Sequence, residues 1–285
     1  MFCYLCGAND HFRRPGRVRD NDALEVLECR RCGLVFLSSF DHVKEGYYEQ
    51  SGMHATAIDV PSWLRQSAQD DERRFDHFRR LIENKSVLDF GCGAGGFLMY
   101  AREVAAHACG VEIEERLVPH FVSEGLDVRT SVGEFDERFD LITLFHVIEH
   151  FADPKGILKE LVDLLKPGGR IIVEVPSADD ALLTLYQCKP FSEFTYWGCH
   201  LFLFNGSTLP LLANKAGCTV EYLRYAQRYT LANHLHWLSQ GRPGGHAHWH
   251  VIDTPELTAA YEKSLAAIGR TDTIICSLIP GGVPV

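Results

Sequence analysis

A rhythm limits how this chain can fold: from Ser86 onward, short apolar runs alternate with helix-forming stretches. The pattern predicts strands near 86–90, 108–113, 126–130, 139–145 and 169–175, with helices near 95–106, 114–124 and 154–166. Such alternation builds a parallel sheet covered by helices. Asp153-Pro154 supplies an N-cap and a first-turn proline, and Lys166-Pro167-Gly168-Gly169 stops the same helix before the next strand. A helix near 206–216, a strand near 218–226, a helix capped by Thr254-Pro255-Glu256 and a last strand at 272–279 complete an α/β domain over 86–285. With 285 residues, 46% of them hydrophobic, the chain can bury a sizeable core. Its formal charge of −10 gives no general attraction for nucleic acid or anionic lipid. No apolar run approaches the ~18 residues of a membrane span. Met1-Phe2-Cys3 does not open a secretory signal, so a cytoplasmic location with reduced thiols is expected.

Ten cysteines divide unevenly. Cys3 and Cys6, and again Cys29 and Cys32, form CxxC pairs, each followed by a glycine; the other six are scattered and read as small buried hydrophobes. Two such turns close a tetrahedral thiolate site with no open position, so residues 1–40 are expected to be a zinc ribbon with structural metal on Cys3, Cys6, Cys29 and Cys32. A segment this short folds largely on its metal. Residues 41–85, with Tyr47-Tyr48 and a helix from Pro61 to about Glu83, read as a helical linker packing on the main domain.

Val87-Leu88-Asp89-Phe90-Gly91-Cys92-Gly93-Ala94-Gly95-Gly96-Phe97 runs a strand into a glycine-rich turn and a helix start, where free backbone N–H groups meet a ligand. Gly91, Gly93 and Gly96 satisfy the dinucleotide fingerprint, but Asp89 at the strand end would repel a pyrophosphate. A carboxylate there suits S-adenosylmethionine, which has an ammonium, a sulfonium and no phosphate. Glu112 ends the next strand, where it can accept both ribose hydroxyl hydrogens.

Over residues 86 to about 226 the chain resembles the class I S-adenosylmethionine-dependent methyltransferases. The resemblance rests on the loop, Glu112, Phe139 through His150, Leu165 through Arg170, and the passage from His200 to Gly217. It implies a Rossmann-like seven-stranded sheet with an antiparallel last strand at Thr273–Leu278, and donor contacts at Asp89, Gly91, Gly93, Gly95, Glu112, Phe145 and His146. The family's acid after the third strand is matched only by Glu134.

His146 to His150 spells HxxEH, an inverted zinc-protease pattern, but it follows a strand at the ligand edge rather than lying on a helix. His146 therefore reads as pocket lining or general base, and His150 as structural. His200, beside Tyr196 and Trp197, is the leading candidate base, with His146 in reserve. An insertion at about 227–253 carries five histidines from His234 to His250 and is expected to cover the acceptor or to form a homodimer surface.

A ribbon ahead of such a domain resembles sugar-nucleotide methyltransferases and glycan-assembly proteins, through Cys32-Gly33-Leu34-Val35-Phe36 and Tyr47-Tyr48. A sugar, sugar nucleotide or related small polar metabolite is the expected acceptor. The alternatives are an RNA or DNA methyltransferase and a non-catalytic donor-binding partner protein. Six arginines against five acids in residues 1–40 give the ribbon little phosphate attraction. No amino-directed Asn/Asp-Pro-Pro-aromatic signature follows the fourth strand.

Overall fold

The computed structural model describes residues 1–44, 46–49 and 58–281. In chain order, β1 (His11–Arg13), β2 (Val26–Cys29) and β3 (Val35–Leu37) precede the long helix α1 (Val60–Ile82). There follow β4 (Ser86–Phe90), α2 (Gly96–Ala101), β5 (His107–Val111), α3 (Val118–Glu124), β6 (Asp127–Arg129), β7 (Phe139–Phe145), α4 (Pro154–Asp163) and β8 (Leu165–Pro176). The chain continues through α5 (Ala181–Thr184), α6 (Lys189–Ser192), β9 (Phe202–Leu203), α7 (Thr208–Lys215), β10 (Cys218–Ala226), α8 (Leu231–Gln240), α9 (Gly245–His248), α10 (Pro255–Ala267) and β11 (Thr273–Pro280).

Seven strands form one mixed sheet in the order β10-β11-β8-β7-β4-β5-β6. The five from β4 to β8 run parallel, and β11 lies antiparallel between β8 and β10. Val87, Leu88, Ile142, Leu144, Ile171 and Val173 are buried on both sheet faces, which is why these strands are continuous apolar runs rather than alternating ones. After β4 the chain steps outward to β5 and β6, then returns to β7 on the opposite side. The carboxyl ends of β4 and β7 therefore frame a crevice at the point where strand order reverses, the usual ligand position in open α/β sheets.

Two packings tie the N-terminal residues to the main sheet. Helix α1 starts at Asp59, whose side chain accepts the Ser62 N–H, and its buried residues Asp71, Arg74, Phe78 and Ile82 share one face. Phe78 and Ile82 join an apolar cluster with Val87, Leu141, Phe145 and Ile172, so α1 lies against the main sheet. The N-terminal strands, in turn, gain a fourth partner: β9 pairs antiparallel with β3, Val35 opposite Leu203 and Phe36 opposite Phe202. Leu34, Val35 and Phe36 share one buried cluster with Ile142, Val173 and Phe204. The N-terminal strands and the main sheet thus have a continuous core. Among the described residues, no helix is long and apolar enough to cross a membrane.

Candidate active site

A cavity of about 270 Å³ opens at the reversal point. Its floor is Asp89, Phe90, Gly91, Cys92, Gly93, Ala94, Gly96 and Phe97, and one side is Val111, Glu112, Ile113 and Glu114. Phe145, His146, Val147, His150 and Phe151 make the far end, and Tyr48, Trp63, Ser67, Asp71 and Arg74 close it from above.

The floor needs glycine at particular places. Gly91 has φ 76°, and a Cβ there would lie 2.5 Å from Val147 Cγ2; at Gly96 it would collide with the Asp71 carboxylate. Gly95, at φ 79°, is the N-cap of α2 and lies behind the lining, where a Cβ would meet Leu126. Asp89 is almost wholly buried and accepts a hydrogen bond from Thr143 Oγ1 at 2.6 Å. Burial pushes its carboxyl up to about 7, against the opposing pull of Thr143 and Arg74. Glu112 accepts the Gly93 N–H on Oε2 at 2.9 Å and the Glu114 N–H on Oε1 at 3.0 Å, so it braces the glycine loop while each oxygen retains a lone pair. Burial also raises this carboxyl.

The roof is held by charge. Glu174 of β8 is fully buried and accepts from Arg73 Nη2 at 2.8 Å and from Arg74 Nε at 3.0 Å and Nη2 at 2.8 Å. Burial opposes its ionisation, but Arg74, His146 and Arg73 outweigh that and hold the carboxyl well below the usual range. Asp70 takes the Arg228 guanidinium, with Nε 3.0 Å from Oδ1 and from Oδ2. The Arg74 guanidinium lies 4.5 Å from the Phe145 ring centroid. Asp71 and Arg74 were the missed signal: two charges on the otherwise apolar stripe of a helix read as a linker.

His146 sits in the left-handed region at φ 59°, an uncommon conformation for a residue with a Cβ. Its N–H donates to the Glu174 carbonyl at 2.8 Å. Its Nδ1 lies 3.6 Å from Glu149, and its Nε2 lies 3.4 Å from Glu174 and 3.2 Å from Arg228. His200 stands one layer back. It packs its ring 4.9 Å from that of His150 and 5.6 Å from that of Trp197, is not among the cavity-lining residues, and is held down to about 3, chiefly by burial. Residues 227–253 contribute no lining either. They form α8 and α9, where His234 bonds Tyr261 and Gln227, and His236 bonds the Arg242 carbonyl. Arg228 reaches the site only through Asp70 and His146.

At the N-terminus, one sulfur from each of Cys3, Cys6, Cys29 and Cys32 lies within 4.8 Å of the others, with Cys3–Cys32 and Cys6–Cys29 separations of 3.5 Å and no disulfide. Sulfurs on a tetrahedron with ~2.3 Å bonds stand about 3.8 Å apart, so the cluster has the dimensions of a metal site.

A family model described as a methyltransferase domain matches residues 66–223. Among curated proteins, the chain is 23% identical over 175 residues to a ubiquinone biosynthesis O-methyltransferase of Hydrogenovibrio crunogenus, covering 54% of this chain and 73% of that one. It is 30% identical over 100 residues to the enzyme of the same name from Coxiella burnetii, covering 32% and 43%, so it spans less than half of that relative's length. Among solved structures it is similar to a chain in the complex between the Haloferax volcanii Trm112 methyltransferase activator and a methyltransferase (TM-score 0.52, 14% identity, 80% and 98% covered). It is also similar to a methyltransferase from Thermotoga maritima (TM-score 0.50, 20% identity, 78% and 95% covered). These two are likenesses of fold.

Proposed function

This chain belongs to the S-adenosylmethionine-dependent methyltransferases, and from that premise we propose which residues hold the donor and what it methylates. The observation that carries the reading is the buried Asp89 carboxylate at the floor of the cavity, an acid in want of a cation. The donor supplies a methyl group on a positively charged sulfur. Asp89 faces the cationic methionine end, Gly91 and Gly93 let the backbone approach, Glu112 takes the ribose hydroxyls on its remaining lone pairs, and Phe145 walls the methyl side. Arg74 and Asp71 close the roof and exclude water.

The acceptor we propose is a small polar metabolite bearing a hydroxyl, a sugar or glycan precursor, at the end formed by Tyr48, His146, His150 and Phe151. That end is aromatic, and Arg74, the arginine in the lining, is tied to Glu174 and Asp71. This favours a second reading, O-methylation of an aromatic acceptor; the relatives are named ubiquinone biosynthesis O-methyltransferases. His146 is the proposed base, because it lines the cavity and stands near two buried carboxylates, Glu149 at 3.6 Å and Glu174 at 3.4 Å, that stabilise the imidazolium formed once it takes a proton. His200, one layer back, is placed to support His150. Structural zinc on Cys3, Cys6, Cys29 and Cys32 completes the proposal and fits the sulfur spacing.

Incubation with labelled methyl donor and an extract fractionated into metabolites, glycans, protein and RNA identifies the acceptor class; label in RNA or protein overturns the small-molecule reading. Glu112→Ala is expected to weaken donor binding by ~1–3 kcal/mol in calorimetry through lost hydrogen bonds. At saturating donor, His146→Ala should lose ~10²–10⁴-fold in turnover and His200→Ala far less.

A further inference from the structure

Beyond the donor site, we propose a metal site behind the acceptor end: His150, Cys199 and His200 bind a divalent cation of the zinc class, with the Glu149 carboxylate as its charge partner. The three side chains come from two segments about 50 residues apart, and one donor atom from each lies within 4.8 Å of the others. The rings of His150 and His200 meet edge to face, with centroids 4.9 Å apart.

The independent observation is Glu149. Its side chain is fully buried, and among the described residues neither carboxylate oxygen has a hydrogen-bond partner; its ion-pair contact is His146 Nδ1, at a loose 3.6 Å. A buried carboxylate this poorly paired is costly, on the order of several kcal/mol, and a cation held by the neighbouring His150 and His200 would offset that cost beyond what His146 supplies. Two imidazoles and a thiolate are a donor set that suits zinc and not magnesium or calcium, with the buried Glu149 carboxylate nearby to balance charge. Two negative charges against two positive leave the buried site neutral.

The backbone holds the ligands in place without the ion. Leu201 N–H donates to the Glu149 carbonyl at 2.9 Å, and Tyr48 Oη donates to the carbonyls of His150 at 3.0 Å and Cys199 at 3.2 Å. His150 Nδ1 lies 2.9 Å from the Cys199 carbonyl, which can only accept. With its proton on Nδ1, a ligating His150 would offer the metal Nε2, the way a ligating histidine is commonly fixed. Binding removes the Cys199 thiol proton, which passes to the buffer as the sulfur–metal bond forms.

The test uses full-length, untagged protein, stripped of metal, reloaded with Zn²⁺ and desalted. Wild type is expected to retain one more zinc per chain than a Cys199→Ala/His200→Ala double variant, whatever the loading of the N-terminal cysteines. Glu149→Gln, the gentler change, should weaken retention of that ion at least tenfold. Calorimetry with Zn²⁺ in two buffers of different ionisation enthalpy should show one more proton released by wild type than by Cys199→Ala. Donor binding, measured in the same samples, reports folding and tests the methyltransferase reading separately. Equal zinc counts in wild type and the double variant, with donor binding intact, would overturn the proposal; if the double variant fails to fold, unchanged zinc retention by Glu149→Gln does so instead.

Discussion

Asp89 concentrates the chemistry of the proposed donor site in one side chain: a carboxyl that accepts one hydrogen bond, from Thr143, and is pushed up to about 7 by burial. Because the folded value lies above the ordinary 3.8, folding favours the neutral acid. Its contribution to stability is full below about pH 4 and is lost as pH rises through about 7. A cationic ligand needs the ionised form, so the sign reverses for binding. Donor affinity is expected to climb between pH 5.5 and 7 and then level off, and Asp89→Asn should flatten that climb as well as lower affinity; titration calorimetry across this range measures both. Asp89 and Glu112 were legible in the sequence because strand end, glycine turn and strand end are local patterns. The standing of His200 was not: whether it faces the cavity or the back of His150 depends on packing between segments about 50 residues apart.

Helix α1 is the element whose importance the sequence understated. Its stripe of Asp71, Arg74, Phe78 and Ile82 does two jobs: the apolar pair seats it on the sheet, and the charged pair roofs the cavity. Glu174 is the post to which Arg73 and Arg74 are tied. Removing one partner of a buried ion pair leaves the others uncompensated, so Glu174→Ala should cost ~3–5 kcal/mol in urea unfolding and weaken donor binding through a loosened roof. Phe139–Phe145 was readable because a buried parallel strand is a long apolar run, and Cys218–Ala226, an antiparallel strand at the sheet edge, also falls where the sequence reading puts it. A two-residue strand such as Phe202–Leu203 has no periodicity to read, and its partner lies far away in sequence.

At the scale of the whole molecule, the N-terminal strands do not stand apart from the main sheet. They share its core and borrow β9, while Gly198 N–H donates to Asp20 at 2.8 Å and Arg19 N–H to the Tyr196 carbonyl at 2.9 Å. Cys29→Ser is therefore expected to raise amide exchange at residues 196–204 as well as at 1–40, with β4 and β7 unchanged; exchange measured by mass spectrometry resolves the three regions. The borrowed strand also sets an order of events during synthesis. β3 leaves the ribosome roughly 165 residues ahead of the strand that covers its edge, which at about 5–20 residues per second is a delay of roughly 8–33 s. Through that interval the nascent chain carries an open, apolar strand edge, the kind that pairs with whatever strand is nearest. Nascent copies on neighbouring ribosomes carry the same open edge, so sparser ribosome loading is expected to raise the share of this protein that reaches its native form.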